Sequence, residues 1–255
     1  MYNEIIKKWG IDIIMNGVNN YTYVETNNIG ELESSRSTIT ITKPNILKEK
    51  KLEKTIKRTI DIVGGIIGTI ALLPLTIVIY IANLIYNDNG PLFFLQERIG
   101  KDGKTFKMYK YRSMVIGADE ILFEYLKENE EAREEYSKYK KLKKDPRTTI
   151  IGKFIRKTSI DEFPQFINVI KGEMSLVGPR PYLPREKEDM GEYYTYITEL
   201  KPGLTGYWQI AGRSDVTFED RLKMDMKYIN DRSLKLDCIL LLKTGIKVFK
   251  RRGAI

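Results

Sequence analysis

Apolar and polar positions are unevenly spread along this 255-residue chain. Residues 1–53 are polar and rich in Asn, Thr and Lys, with short alternations such as Thr-Ile-Thr-Ile-Thr at 38–42, and suggest a weakly ordered leader holding one strand. Residues 62–86 then run for 25 positions without a charged side chain. As a helix rising about 1.5 Å per residue, that run reaches roughly 37 Å, enough to cross a bilayer. The N-terminus lacks an apolar stretch followed by a small-residue cleavage site, so the hydrophobic segment is expected to stay in the mature protein.

Pro74 stands at the centre of the run. It removes one helical hydrogen bond and crowds the carbonyl of Ile70, which favours a bend. Lys54, Lys57 and Arg58 precede the run and Arg98, Lys101, Lys104 and Lys107 follow it. Cytoplasmic loops carry the excess of Lys and Arg, so both ends belong on that side. A re-entrant helix-break-helix satisfies this pattern, and a proline-kinked spanning helix remains the alternative at this point. Gly64 and Gly68 make a small face suited to close helix packing.

Downstream, the alternating stretches 93–96 and 105–111 flank Gly100-Lys-Asp-Gly103 and predict a β-hairpin. Residues 118–144 predict one long polar helix, acids first and lysines last, as the helix dipole prefers. Near the C-terminus, Leu236, Leu240, Leu242, Ile246 and Phe249 alternate with Lys243, Lys247 and Lys250. That pattern fits a helix lying on an anionic membrane surface, or equally one packed on a core.

Composition narrows the chemistry. The formal net charge of +9 suits an anionic partner: nucleic acid, acidic lipid or a phosphorylated substrate. A single cysteine, Cys238, excludes an internal disulfide framework and a multi-cysteine zinc site, and fits a reducing compartment. There is no histidine, which removes Ser-His-Asp and Cys-His nucleophile systems and histidine general bases.

The densest candidate stretch, residues 145–165, packs Arg147, Lys153, Arg156 and Lys157 directly before Asp161 and Glu162. Ser159 with Glu162 three residues on matches a capping box, which places both acids in a first helical turn beside unpaired N–H groups. An ionised carboxylate among cations can attack a phosphoryl group to form an acyl phosphate. Asp161 is the candidate nucleophile with Arg156 and Arg147 as clamps, and plain helix capping is the competing reading. Gly178-Pro-Arg180-Pro181 offers a rigid turn holding an arginine suited to bidentate phosphate binding. Lys201-Pro-Gly-Leu-Thr-Gly206 and the stretch on to Arg213 add a glycine-rich loop whose glycines permit close approach to a ligand.

Together these segments resemble the monotopic phosphoglycosyl transferases, the bacterial sugar transferase family. The residues that carry the resemblance are Lys57-Arg58-Thr-Ile-Asp61, Pro74, Gln96-Glu-Arg98-Ile-Gly100, Phe106-Lys-Met-Tyr-Lys110-Tyr-Arg112-Ser-Met114, Thr158-Ser-Ile-Asp161-Glu162, Ser175-Leu-Val-Gly-Pro-Arg180-Pro181 and Pro202-Gly-Leu-Thr-Gly206. They lie in the family's order across residues 54–255. Leu73 stands before the proline where some members have a small polar residue, so a hydroxyl from Thr69 or Thr76 is expected to help satisfy the break.

The resemblance implies an α+β, mainly helical monotopic enzyme: a leader (1–53), a re-entrant helix broken at Pro74 (54–88) and a catalytic domain on the cytoplasmic face of the bacterial membrane (89–255). It further has interfacial amphipathic helices and a small β-hairpin. The implied reaction passes a hexose-1-phosphate from a UDP-sugar through a covalent Asp161 intermediate to undecaprenyl phosphate, releasing UMP, with Mg²⁺ held by Asp161 and Glu162. Arg156 is expected at the lipid phosphate and Arg180 at the nucleotide. Lys110, Arg112 and Arg147 are further substrate-binding cations, and Pro202, Gly203, Thr205, Gly206 and Arg213 shape the nucleotide pocket. The ending Lys-Arg-Arg-Gly-Ala resembles exopolysaccharide and capsule members, which suggests UDP-galactose or UDP-glucose. Partners under this reading are inner-membrane lipids and no nucleic acid, with a homodimer left open. The rival is a non-enzymatic membrane-tethered basic module that binds nucleic acid or anionic lipid.

Overall fold

The computed structural model describes residues 12–16, 20–24, 51–211 and 217–249. The chain divides into two units, residues 1–47 and 48–255. In the first, β1 (Asp12–Asn16) and β2 (Asn20–Val24) pair antiparallel, a hairpin within the segment expected to hold a single strand elsewhere. The strand expected at 38–42 lies outside the described residues.

In the second unit, α1 (Lys51–Ile85) is one helix of 35 residues. It begins three residues before the expected boundary and passes through Pro74 without interruption, so the expected helix-break-helix is not present as a gap in the helix. Losing one backbone bond leaves its neighbours in place, and the Thr76 hydroxyl donates to the Leu72 carbonyl at 2.7 Å while bonding the Tyr111 hydroxyl. The Thr69 hydroxyl, the other expected helper, is buried without a partner.

One face of α1 is covered from Asp61 to Asn83. Asp61, Gly65, Gly68, Leu72, Ile79 and Asn83 are buried, whereas Ile66, Ile67, Ile70, Leu73, Ile77 and Val78 are exposed. The glycines let the backbone lie against α5 (Gln165–Lys171) and β5 (Ser175–Val177): a Cβ at Gly68 would overlap the Phe166 ring, and one at Gly64 would press on Leu176. The small face predicted from sequence is therefore a packing face.

Polar bonds fasten the start of the helix. Lys57 pairs with Asp237 and donates to the Val177 carbonyl at 3.1 Å. Arg58 donates to the carbonyls of Val169 and Ile170, and Asp61 accepts from the Ser175 hydroxyl and the Leu176 N–H.

The expected hairpin forms from β3 (Phe93–Ile99) and β4 (Thr105–Tyr111), with β3 three residues longer than its predicted stretch. Its turn carries Asp102 and Gly103 at positive φ. The predicted long helix is two, α2 (Ala118–Glu128) and α3 (Glu130–Tyr139). Asn129 ends the first, and its side chain caps the second by accepting from the Ala132 N–H. An Asn in extended conformation offers the backbone a cap that competes with continued helix.

After α4 (Ile150–Thr158) and α5, β5 pairs in parallel with β6 (Gly203–Thr205), the crossover between them holding α6 (Lys187–Met190) and α7 (Tyr193–Ile197). Then come α8 (Tyr207–Ala211), α9 (Phe218–Asp231) and α10 (Leu234–Phe249). Leu240 of α10 is fully buried beside Tyr228 and Val177, while Leu242 and Ile246 are exposed. The C-terminal helix thus packs on the core by one face and shows apolar residues on another.

Gly68→Leu is expected to lower stability by about 1–3 kcal/mol, because an overpacked site must shift its neighbours. Thermal unfolding of the detergent-purified chain checks this, and an unchanged midpoint would show that α1 does not pack through Gly68.

Candidate active site

Thr149 caps α4 by accepting from the Gly152 N–H at 2.9 Å, and the helix ends at Ser159, which adopts φ 61°. A non-glycine residue there stores on the order of 1 kcal/mol of strain. The expected capping box is absent: Ser159 closes α4 and makes no side-chain cap to the next turn. That turn, residues Ile160–Glu162, is a 3-10 turn leading into α5. Ile160 and Phe163 pack with Leu72, Tyr111 and Ile155, so the two acids between them are held on the other side.

Glu162 pairs with Lys110 of β4 at 3.4 Å. Arg156, on the last turn of α4, donates to the Thr148 hydroxyl at 3.2 Å and lies 3.9 Å from Asp145. Asp161 is partly buried and densely surrounded by protein. Its carboxyl is pushed up to about 6, chiefly by desolvation and then by the adjacent Glu162 charge, against the pull of Lys110 and Arg156. The structure therefore brings Asp161, Glu162, Lys110 and Arg156 into one cluster.

Arg112 and Arg147, expected as substrate-binding cations, have other partners. Arg112 is buried and donates to the carbonyls of Pro91 and Met114 and to Asp88 at 2.6 Å. Arg147 is buried in a two-bond pair with Asp145, at 2.8 and 2.7 Å. Both guanidiniums brace loops that flank the cluster.

The glycine-rich loop also differs from its expected use. Pro202, Gly203, Thr205 and Gly206 are buried, and a Cβ on Gly203 or Gly206 would strike the backbone of Gly178. Thr205 bonds the Thr244 hydroxyl at 2.6 Å. Their close approach is to β5 and the turn after it, which they fix in place. Arg213 lies outside the described residues.

Arg180 sits on that turn. Its backbone N–H donates to Asp225 at 3.0 Å, the Tyr182 hydroxyl donates to the same carboxyl oxygen at 2.8 Å, and its guanidinium lies 4.7 Å from the centre of the Trp208 ring. Its Nε is buried without a partner. Arg98 donates to the Pro181 carbonyl and feels the charges of both Arg180 and Glu162. Arg221 donates to the Tyr139 carbonyl. Burial, and then the neighbouring Arg180, push Arg98 down to about 9 and Arg221 down to about 10. Arg180 thus repels both of these arginines, and an anion arriving beside it relieves that cost.

Arg98, Arg221 and Asp225 were not among the residues predicted for the site. Arg221 and Asp225 stand four apart on α9, both buried beside Leu222 and Ile229, so charge on the apolar face of an amphipathic helix was the available signal. Among the described residues, no group of three or more acidic, histidine or cysteine side chains forms a metal cage.

The sequence pattern of the family described as bacterial sugar transferase matches residues 52–251. The chain is 44% identical over 205 residues to the undecaprenyl-phosphate galactose phosphotransferase of Salmonella typhimurium, covering 80% of this chain and 43% of that protein. It is 40% identical over 198 residues to the exopolysaccharide production protein ExoY of Sinorhizobium fredii, covering 78% and 87%. It is 34% identical over 211 residues to the UDP-glucose:undecaprenyl-phosphate glucose-1-phosphate transferase of Escherichia coli, covering 80% and 42%. The chain thus spans under half the length of two of these relatives and most of ExoY.

The site carries a pH signature in stability. Burial raises the carboxyls of Asp161 to about 6 and of Asp225 to about 7, both from 3.8. The folded chain therefore binds these protons more tightly than the unfolded chain, and their ionisation costs stability as pH rises through 6 and 7. Between pH 7.5 and 5 these two groups should raise the unfolding free energy as pH falls. Asp225→Asn should flatten that slope in denaturant titrations, and an unchanged slope would remove Asp225 as a source.

Proposed function

The chain belongs to the bacterial sugar transferase family, and from that premise we propose that it moves a hexose-1-phosphate from a UDP-sugar to undecaprenyl phosphate. The observation that carries the reading is the Asp161–Glu162 pair among Lys110 and Arg156, on a turn that follows a helix with exposed apolar residues. Ile150 and Phe154 of α4 are exposed four residues apart, flanked by the exposed Lys153 and Lys157. Such a face suits insertion at the level of lipid headgroups, where a polyprenyl phosphate arrives.

In the first step an Asp161 carboxylate oxygen attacks the donor phosphorus that bears the sugar. The bond from that phosphorus to the bridging oxygen of UMP breaks, UMP leaves, and the sugar phosphate stays on Asp161 as an acyl phosphate. In the second step a phosphate oxygen of the lipid attacks the same phosphorus and the Asp161 carboxylate departs. Arg156 would meet the lipid phosphate. Arg180, with Arg98 and Arg221 behind it, would hold the nucleotide diphosphate.

Mg²⁺ commonly binds through one or two carboxylates together with substrate phosphates, which fits an acidic pair lacking a full protein cage. Asp161 and Glu162 would hold it, and it would neutralise charge on the transferring phosphoryl group.

The membrane arrangement proposed is re-entrant. The domain covers one side of α1 from Lys57 to Asn83, so a helix set straight through the bilayer would draw polar parts of the domain into hydrocarbon. A monotopic setting, apolar face in lipid and catalytic face in the cytoplasm, avoids that cost. The names of the relatives support the reaction class, and galactose is the first sugar to test because the Salmonella relative named for it shares 44% identity against 34% for the relative named for glucose.

Purified chain with Mg²⁺, UDP-galactose or UDP-glucose and undecaprenyl phosphate should release UMP. Asp161→Asn should reduce release by at least about a thousandfold while the chain stays folded, and full activity in that variant would exclude Asp161 as nucleophile. Wild-type activity should fall below about pH 6 as the Asp161 carboxyl takes up its proton. For topology, Lys51→Cys and Asn89→Cys in a Cys238→Ser background should both resist an impermeant thiol reagent in intact cells. Labelling of one alone would mean that α1 spans.

A further inference from the structure

A second cationic site lies at the start of α1, away from Asp161. The turn bearing Asp161 packs against Leu72 and Ile79, whereas a cavity of about 180 Å³ opens beside residues 53–61 of the same helix. At about 1.5 Å per residue, the two stand on the order of 25 Å apart along the helix axis.

Six cations line this cavity: Lys54, Lys57, Arg58, Lys101, Lys201 and Arg232. Four carboxylates share the lining, but two of them are engaged in its floor. Asp237 is paired with Lys57 and accepts from the Tyr228 hydroxyl, and Asp61 accepts from Ser175 and the Leu176 N–H. Arg58 donates to two backbone carbonyls, which carry no counter-charge. The Lys201 ammonium is weakened by burial and then by the positive charges of Arg58, Lys101 and Lys54. Positive charge thus converges on a partly enclosed space from four separate segments: α1, the β3–β4 turn, the loop before β6 and the α9–α10 junction.

We propose that this cavity binds a phosphate-bearing anion between Lys54, Lys101 and Lys201. The excess of two cations over carboxylates in the lining matches a phosphate dianion. The volume equals that of about six water molecules, room for a phosphate with its glycerol or for a diphosphate. The cavity sits immediately before the apolar run begins at residue 62, a level reached both by phospholipid headgroups and by soluble phosphates. Its occupant ties the entry of α1 to two loops of the domain, so it acts as a clamp on the membrane helix. The site is independent of the chemistry at Asp161.

The test uses the full chain purified in a neutral detergent and, separately, in nanodiscs of phosphatidylcholine with or without phosphatidylglycerol. Thermal unfolding is followed against added inorganic phosphate for the wild type and for Lys101→Gln/Lys201→Gln, with UMP release as a second readout. The wild type should be protected, and the double variant should need at least about tenfold more ligand for equal protection, since it has lost two charge-assisted bonds to the phosphate. UMP release by the variant should stay within about twofold of the wild type. Protection by inorganic phosphate assigns the site to a free anion, and protection by phosphatidylglycerol alone assigns it to a headgroup; either supports the proposal. No protection by either, or equal protection of the variant, would overturn it. Should the double variant unfold, Lys101→Gln alone, at a partly exposed turn position, gives the same comparison.

Discussion

The structure depends on the docking of one apolar helix along one side of a basic domain. A 35-residue helix rich in Ile and Leu would ordinarily hide in lipid or in a core. Here it does half of each: glycines at 64, 65 and 68 let α5 and β5 approach its backbone, and the opposite face stays open. Dispersion between close surfaces holds the middle of the contact, and Lys57, Arg58 and Asp61 hold its beginning through directed bonds. Because α5 follows the 3-10 turn directly, the position of α1 is passed to Asp161 and Glu162 through Phe163 and Phe166.

The cations of this chain fall into two kinds. Arg112 and Arg147 are buried against Asp88 and Asp145, where removing either partner would strand a charge, so they brace loops. Arg98 and Arg221 both stand beside Arg180 with only partial compensation, and burial followed by that repulsion weakens the basicity of these two. Asp225 supplies the compensation and accepts from both Arg180 and Tyr182. An arrangement that is unfavourable when empty of anions is suited to binding them, whereas a neutral pair has little left to offer a ligand.

The backbone beside the acids is strained in one place, Ser159 at positive φ. A capping box would have extended α5 backwards through the two acids and aligned them with its axis. The sharp close of α4 instead turns the chain so that Ile160 and Phe163 enter the core while Asp161 and Glu162 face Lys110 and Arg156. Local strain and tertiary packing together set the electrostatics of the pair.

From sequence alone, the apolar run, the hairpin around Gly100, the small face at Gly64 and Gly68, and the acid pair among cations were all legible, because each is a local pattern with a local cause. The family also followed from motif order, and the match over residues 52–251 agrees with it. Hydrophobic period says which face of a helix is apolar but not what covers it, so only the tertiary structure decided that the domain flanks α1 from Lys57 to Asn83. Charge sign is written in the sequence, but what a cation binds depends on residues far away: Arg98 on the Pro181 carbonyl, Arg58 on the Val169 and Ile170 carbonyls, and Lys57 on Asp237. The same holds for the glycines of the loop at 203–206, whose need for space is visible in sequence. That the space is taken by Gly178 rather than by a ligand is a fact of long-range packing.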